Sequence, residues 1–224
     1  MEYLVKMVDV AVSWSGGKDS CLALHVAKDA GFNPVVLLCM VDQRGYSRSN
    51  GINPQILKLQ AQALQLPIVF QETSWVNYEQ NIIRALINLK HSYKVTQCVF
   101  GDIDIVAHRE FEQKICCAVG IKACLPLWGI SRESVRGNIL AHGIKSKLSV
   151  VSKDFPLEEC LGKDYASLDF EQLKKINVDE CGENGEFHTL VYDAPLFDAP
   201  LRIIPSEVYD LDSVLLCDFK LVEI

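Results

Sequence analysis

A glycine-rich turn near the start of the chain, called here the glycine loop (residues 15–20), constrains the fold more than any other segment. Its sequence is S-G-G-K-D-S. Residues 8–12 alternate valine with polar or small residues, which predicts a strand before the loop. Residues 21–30 have a helical pattern that stops at Gly31, which predicts a helix after it. A strand, a glycine turn and a helix in this order direct backbone N–H groups and the positive helix end at one point, so the sequence predicts an anion site.

The alternation of strand and helix patterns continues to about residue 125. Strand-like apolar stretches occupy residues 35–41, 67–70, 98–100 and 121–125. Stretches with helical spacing occupy residues 54–66, 78–89 and 106–119. Such alternation predicts parallel strands joined by right-handed crossovers. We therefore predict that residues 1–125 form a doubly wound α/β domain with ligands at the carboxyl ends of its parallel sheet.

The pattern changes after residue 128. A predicted helix at 131–141 and a predicted strand at 146–152 precede a mixed, charged region at 158–175. The segment 182–189, G-E-N-G-E-F-H-T, leads into an apolar stretch, and the tail from residue 201 alternates enough to supply further strands. We predict that residues 126–224 form a smaller α+β domain that binds the substrate.

The composition is that of a globular protein with a core, since 49% of its 224 residues are hydrophobic. Its 22 basic and 29 acidic residues give a net charge of −7, which does not favour nucleic acid as a substrate. No run approaches the length of about 18 apolar residues needed to cross a bilayer, and the first residues lack a secretory pattern. Nine cysteines without a C-x-x-C pair indicate reduced thiols, so we expect a cytoplasmic protein without membrane partners.

The side chains of the glycine loop suit a nucleotide polyphosphate. Lys18 supplies a full positive charge, and the hydroxyls of Ser15 and Ser20 can donate hydrogen bonds to phosphate oxygens. Asp19 repels phosphate directly, but its carboxylate can hold Mg²⁺ between itself and the polyphosphate. Two adjacent glycines followed at once by K-D-S differ from the Walker loop, G-x-x-x-x-G-K-[ST].

The string S-G-G-K-D-S resembles the PP-loop of the N-type ATP pyrophosphatases, which include GMP synthetase, NAD synthetase and asparagine synthetase. This resemblance implies a HUP-like α/β fold, with ATP and Mg²⁺ as cofactors. It also implies attack at the α-phosphate, so that the substrate is adenylated and ATP ends as AMP and pyrophosphate.

Four motifs extend the resemblance over nearly the whole chain: residues 101–103 (G-D-I), 108–109 (H-R), 126–128 (P-L-W) and 182–189. Together they resemble the diphthine–ammonia ligase family. The resemblance implies that a carboxylate becomes a carboxamide with ATP and ammonium, through an acyl-adenylate. The chain is too short to include a glutaminase domain, so free ammonium is the expected nucleophile.

The chain departs from the usual pattern of that family at three positions, Asn184, His188 and His108. The family usually has glycine, glutamate and glutamine there. The Asn and His variant resembles a sister branch that amidates other carboxylates, corrinoid side chains among them. The reaction type is therefore better defined by the resemblance than the acceptor is.

Candidate site residues follow from the glycine loop, from the position of strand ends and from the resemblance. We expect ATP to be bound by Ser13, Ser15, Gly16, Gly17, Lys18, Asp19, Ser20, Met40, Val41, Gly101 and Asp102, with Asp19 as the metal ligand. We expect the catalytic residues to be Lys18, Asp19, Glu183 and Glu186. The two glutamates suit deprotonating or orienting ammonium, which must lose a proton before it attacks, or binding a second Mg²⁺. A polar loop with two arginines suits an anionic acceptor, and we expect the substrate to be bound by Arg44, Ser47, Arg48, Asn50, Gly51, His108, Arg109 and His188.

Some of these roles have alternatives. Met40 and Val41 are expected to contact adenine through their backbone. Asp102 either orients ribose or a metal, or caps the next helix. His188 is a base, a substrate ligand or an ordinary surface histidine.

Other functions also fit part of the sequence. The same adenylation chemistry serves RNA-base modification, which the acidic charge and the missing cysteine motifs disfavour. A non-catalytic nucleotide-binding module is disfavoured by the Lys18–Asp19 pair and by the glutamates of segment 182–189. The sequence leaves open the acceptor, the source of ammonia and the oligomeric state, a homo-oligomer included.

Overall fold

A five-stranded parallel sheet forms the first half of the protein in a computed structural model, which describes residues 7–222. Its strands are β1 (Val8–Ser13), β2 (Phe32–Val41), β3 (Ile68–Glu72), β4 (Gln97–Val99) and β5 (Lys122–Cys124). The connecting helices are α1 (Lys18–Asp29), α2 (Pro54–Ala63), α3 (Tyr78–Tyr93) and α4 (Val106–Val119). The strand order is β3-β2-β1-β4-β5, so the chain winds outward in both directions from the β1–β4 boundary.

Two layers of helices cover the two faces of this sheet. α3 and α4 pack Ile82, Leu86 and Ile115 against one face. α1 and α2 pack Leu22 and Leu57 against the other face. Because parallel strands are covered on both sides, the doubly wound α/β fold predicted from the sequence is confirmed.

The helix after the glycine loop begins at Lys18 rather than at residue 21. Apolar spacing could not locate this start, because the first turn of the helix is polar. Lys18, Asp19 and Ser20 are therefore residues of the first helical turn, where N–H groups lack partners within the helix.

The second half has an antiparallel sheet and two helices. Its elements are α5 (Arg132–Ala141), β6 (Lys145–Ser152), α6 (Phe170–Lys175), β7 (Phe187–Asp193), β8 (Ile203–Asp210) and β9 (Val214–Leu221), with short 3₁₀ turns at Glu158–Cys160 and Tyr165–Ser167. The strand order is β7-β6-β9-β8. This arrangement confirms the predicted α+β character of the region.

The two halves share one apolar core. The cluster on the α1 and α2 side of the parallel sheet continues through Leu148, Phe187 and Leu190 of the antiparallel sheet. Near the boundary expected between residues 125 and 126, the chain therefore passes from one sheet to the other, while the apolar core is continuous. Within residues 7–222 we find no helix with the length and apolar character needed to cross a membrane.

Candidate active site

A cavity of about 560 Å³, called here the main cavity, lies where the two halves meet. It is bounded by the end of β1, the first turn of α1, the residues after β4, the starts of α3 and α4, and residues 181–189. The strand order reverses between β1 and β4, which is where doubly wound sheets bind ligands.

Close backbone packing fixes the shape of the glycine loop. Gly16 has a φ of +82°, and a side chain at Gly17 would come within 2.2 Å of the Asn50 amide nitrogen. A side chain at Gly101 would lie 2.9 Å from the backbone nitrogen of Ser20. Gly16 is required for its backbone conformation, and Gly17 and Gly101 are required because Asn50 and the first turn of α1, respectively, leave no room for a side chain.

Hydroxyl groups also order the loop. The Ser15 and Ser20 hydroxyl oxygens lie 3.1 Å apart, and the Gly17 N–H donates to the Ser15 hydroxyl at 3.2 Å. Ser13, Ser15 and Ser20 all line the main cavity. The first turn of α1 therefore faces the cavity with N–H and hydroxyl donors, an arrangement suited to an anion.

Lys18 and Asp19 form a shielded ion pair at the cavity wall. The Lys18 Nζ lies 2.8 Å from the Asp19 Oδ2 and also donates to the carbonyl oxygen of Cys181. Burial lowers the pKa of Lys18, but the attraction to its neighbours, above all to the Asp19 carboxylate, outweighs this and leaves the pKa above its usual value. Lys18 is therefore a permanent positive charge in a place of low dielectric.

The second oxygen of Asp19 fits a metal ion. Asp19 Oδ1 is shielded from solvent and accepts no hydrogen bond from any residue in 7–222. A buried carboxylate oxygen without a donor is costly unless something outside the chain binds it. No group of three or more His, Cys, Asp or Glu side chains within the described residues is placed to hold a metal by itself. Mg²⁺ would therefore need phosphate oxygens as further ligands beside Asp19, as is usual for this ion.

The second half of the chain holds the glycine loop in place. The Val191 N–H donates to the Gly16 carbonyl at 2.9 Å, and the Lys18 N–H donates to the Thr189 hydroxyl at 3.1 Å. Buried Gln60 donates to the carbonyl oxygens of Gly16 and Val191, at 2.9 and 2.7 Å. Asn50 donates to the Thr189 carbonyl at 2.7 Å, so it both supports the loop and lines the cavity.

Glu183 and Glu186 have different positions, although the sequence suggested a pair. Glu183 lines the main cavity. Burial, assisted by the charge of Asp19, raises the pKa of Glu183 to about 8. Glu186 is buried and does not line the cavity, because its carboxylate accepts hydrogen bonds from the backbone of Asp179 and from both nitrogens of Asn184 at 2.9–3.0 Å. Glu186 is therefore not placed to act directly on a substrate, as the sequence suggested. Its hydrogen bonds instead shape the segment that carries Glu183.

A second acidic group lies across the cavity. Asp102 accepts a hydrogen bond from the His108 Nδ1 at 2.7 Å, and the Glu112 carboxyl is also within hydrogen-bonding reach of Asp102. Burial, together with Asp102, raises the pKa of Glu112 to about 10. Sequence reasoning missed Glu112. The available signal was its position four residues after His108, on the same face of a predicted helix.

One end of the main cavity is aromatic. Its walls are formed by Trp75, Tyr78, Phe100 and Phe111 together with Ile82 and Ile115. The rings of Trp75 and Tyr78 are stacked, with centroids 5.5 Å apart. Sequence reasoning missed this surface, since these residues fall in three separate segments that only the fold brings together.

Met40 and Val41 do not line the main cavity. Both are buried, and their carbonyl oxygens accept hydrogen bonds from the N–H groups of Arg48 and Thr73, each at 2.9 Å. The expected backbone contact with adenine is therefore not supported at these positions, because the acceptors already have partners.

A smaller cavity of about 240 Å³, called here the side cavity, adjoins the main one. It is lined by five of the predicted substrate residues: Arg44, Ser47, Arg48, Gly51 and His188. Ser49 and His188 line both cavities. Burial lowers the pKa of His188 to about 4, so its imidazole is neutral at neutral pH.

The two arginines of the side cavity differ in whether their guanidinium groups already have a hydrogen-bonding partner. The Arg44 guanidinium lies 3.3 Å from the Asp42 carboxylate. Arg48 stacks over the Trp75 ring at 4.5 Å, and its Nε is buried without a hydrogen-bond acceptor among the described residues. Arg109, also predicted to bind substrate, instead stacks on Trp128 at 4.4 Å and lines neither cavity.

The predicted residues thus fall into four sets, of which those that line the side cavity and those that line neither cavity (Met40, Val41, Arg109 and Glu186) are described above. Those that line the main cavity are Ser13, Ser15, Lys18, Asp19, Ser20, Asn50, Gly101, Asp102, His108, Glu183 and His188. Gly16 and Gly17 shape the loop behind it.

Comparison with known proteins matches both halves of the chain. The family model of the diphthamide synthase N-terminal domain matches residues 8–123, and that of the C-terminal domain matches residues 137–220. A protein of Schizosaccharomyces pombe is 25% identical over 228 residues, covering 92% of this chain but only 38% of that protein. Proteins of Danio rerio and Homo sapiens are each 24% identical, covering 86% and 89% of this chain and 85% and 84% of those proteins. All three relatives are named diphthine–ammonia ligase.

Proposed function

The chain belongs to the diphthamide synthase family, and on this premise we propose that it is an ATP-dependent ligase that converts a carboxylate to a carboxamide. ATP is split to AMP and pyrophosphate, and ammonia supplies the nitrogen. The names of the curated relatives support both the ligase reaction and the use of ammonia. The observation that carries the proposal is that Lys18, Asp19 and Glu183 line a single cavity, although they come from opposite ends of the chain.

In the first step an oxygen of the acceptor carboxylate attacks the α-phosphorus of ATP. The bond from that phosphorus to the bridging oxygen breaks, and pyrophosphate leaves with the bond electrons. Lys18 and the N–H and hydroxyl donors of the first turn of α1 stabilise the charge that develops on the phosphates. A Mg²⁺ ion beside Asp19 Oδ1 would neutralise further phosphate charge.

In the second step ammonia attacks the acyl carbon, and AMP leaves. Ammonium has no lone pair, so it must first transfer a proton to a base. We assign this role to Glu183, because a carboxylate whose pKa is raised by burial is a stronger base than an exposed one. Glu186 is a positioning residue in this scheme, since it holds the backbone on either side of Glu183.

The acceptor is proposed to enter through the side cavity. Arg48 has an unused buried N–H there, and arginine binds carboxylates through pairs of N–H groups. Ser49 and His188 lie at the junction of the two cavities, so an acid held by Arg48 would point toward the glycine loop. We propose diphthine as the first acceptor to test, because the names of the relatives contain it.

The test is to incubate the protein with ATP, Mg²⁺, ammonium and a diphthine-bearing acceptor, and to separate the nucleotide products. AMP and pyrophosphate should form in equal amounts, and amide formation should require both ammonium and acceptor. Formation of ADP and phosphate would overturn the proposed chemistry. Corrinoid acids serve as a second acceptor series, which separates a wrong acceptor from a wrong reaction.

A further inference from the structure

Glu112 is a buried acid that faces the main cavity without a conventional partner. Its side chain is only 6% exposed, and it lies at the aromatic end of the cavity wall. Its Oε2 is shielded from solvent and accepts no hydrogen bond from the residues in 7–222. A buried polar group of this kind needs an explanation, because leaving it unpaired costs free energy.

A shared proton explains part of this arrangement. Glu112 and Asp102 lie within hydrogen-bonding reach, and two carboxyl groups can bond only if one of them carries a proton. The raised pKa of Glu112 makes it the protonated partner. The proton occupies one Glu112 oxygen and points to Asp102. The oxygen of Glu112 that does not carry the proton can therefore only accept a hydrogen bond, and the residues in 7–222 donate none to Oε2.

The surroundings of this oxygen suit a flat, largely apolar ring. Tyr78, Phe100 and Phe111 line the same end of the cavity. Asp102 directly follows Gly101, which packs against the backbone of Asp19 and Ser20, and it is within hydrogen-bonding reach of Glu112. It therefore lies between the glycine loop and Glu112. Along the cavity, the donors that suit phosphate therefore come first, then the Asp102 carboxylate, and then the Glu112 acceptor among aromatic rings. A nucleoside triphosphate has the same order of phosphate, ribose and base.

Resting on the proposed use of ATP, we propose that Glu112 recognises adenine by accepting a hydrogen bond from its exocyclic amine. Adenine carries a donor at this position, whereas guanine carries a carbonyl oxygen. Guanine would thus place two acceptors face to face in a buried site, and a purine without an exocyclic group would leave Glu112 unpaired. Sites built around such a polar contact reject analogues that lack it.

The experiment measures equilibrium binding by calorimetry, with the full chain and without acceptor or ammonium. The ligands are ATP, purine riboside triphosphate and GTP. Wild type should bind ATP about tenfold more tightly than purine riboside triphosphate, the ratio expected for one neutral hydrogen bond. Glu112→Leu should bring this ratio close to one. Glu112→Gln should keep the wild-type preference, because its amide can donate to Asp102 while its carbonyl oxygen still accepts from adenine.

Two results would overturn the inference: equal affinity of wild type for ATP and purine riboside triphosphate, or an unchanged preference in Glu112→Leu. If Glu112→Leu does not fold, the comparison of wild type with Glu112→Gln tests the inference. Loss of the preference for ATP in Glu112→Gln contradicts the neutral-acid arrangement. Failure of wild type to bind any of the three nucleotides would instead overturn the proposed ATP site, and the inference with it. If wild type binds ATP but makes no amide, only the proposed ligase reaction is rejected, and the inference about adenine is unaffected.

Discussion

The backbone N–H of Lys18 donates a hydrogen bond of 3.1 Å to the hydroxyl of Thr189, which is 171 residues further along the chain. The first turn of α1 is thereby joined to β7 of the antiparallel sheet. The Val191 N–H and the Cys181 carbonyl make two more contacts with the same region. The geometry of the glycine loop therefore depends on the second half of the chain as well as on its own glycines.

Replacing Thr189 with valine should weaken the loop. The side chain is buried and valine has nearly the same shape, so Thr189→Val removes the hydroxyl and leaves the Lys18 N–H without a partner. We expect a loss of about 1–2 kcal/mol in the free energy of unfolding, measured by urea denaturation. Thr189→Ser is the matched control, because it keeps the hydroxyl and should lose less. Equal stability of Thr189→Val and wild type would show that the contact does not stabilise the loop.

The local parts of the site were predictable from sequence. Strand, glycine turn and helix follow one another within a few residues, so their patterns predict the donors of Ser15 and Ser20 and the charge of Lys18. The contacts of Lys18 with Thr189 and Cys181 were not predictable in this way. They depend on how the antiparallel sheet packs against α1, which no local pattern encodes.

The acids show the same limit. Glu183 and Glu186 are alike in the sequence and share one segment, yet backbone N–H groups bind only Glu186 and turn it away from the cavity. Glu112 was overlooked because helical spacing assigns it to a helix without saying that the start of α4 borders the site. Tyr78, at the start of α3, was overlooked for the same reason.

Asp19→Asn should abolish most turnover. The substitution keeps the shape of the side chain but removes the charge that would hold Mg²⁺. We expect pyrophosphate release to fall by at least about 100-fold, and added Mg²⁺ to restore little of it. The control is Asp29→Asn, at the exposed far end of the same helix, which should behave as wild type. An unchanged Mg²⁺ dependence in Asp19→Asn would exclude Asp19 as the metal ligand.

Glu183→Gln should separate the two chemical steps. Adenylation of the acceptor needs no base from this position, so exchange of labelled pyrophosphate into ATP should persist when acceptor is present and ammonium is absent. Amide formation should fall by about 100-fold or more, because the amide side chain cannot take a proton from ammonium. Equal loss of both activities would instead assign Glu183 to the adenylation step.

Glu186→Gln should act mainly on stability. One carboxylate oxygen becomes an NH₂ group, which cannot accept from the backbone of Asp179 or Asn184. We expect a loss of about 1–3 kcal/mol in the free energy of unfolding. Glu183→Gln is the matched comparison and should not be destabilised, since burial and Asp19 already disfavour the charged form of Glu183 and the amide is neutral. If the two variants unfold at the same urea concentration, the distinction between the two glutamates is wrong.

The stability of the protein should also report the proton on Glu112. Its pKa is about 10 in the folded protein, against an ordinary value of 4.5, so the folded protein binds this proton more tightly than the unfolded chain does. Raising the pH between these values therefore favours unfolding, by up to about 1.4 kcal/mol per pH unit. Glu112→Gln has no such proton. Its free energy of unfolding, measured by urea denaturation between about pH 5 and pH 9, should rise relative to wild type as the pH increases.

A constant difference between wild type and Glu112→Gln over this range would mean that Glu112 is already ionised in the folded protein. An ionised Glu112 could not donate to Asp102, and the two acids would repel each other instead of sharing a proton. Its free oxygen would then carry a negative charge, which also accepts from the adenine amine. The pH series therefore tests the neutral acid without any nucleotide, and the binding series tests what that acid recognises.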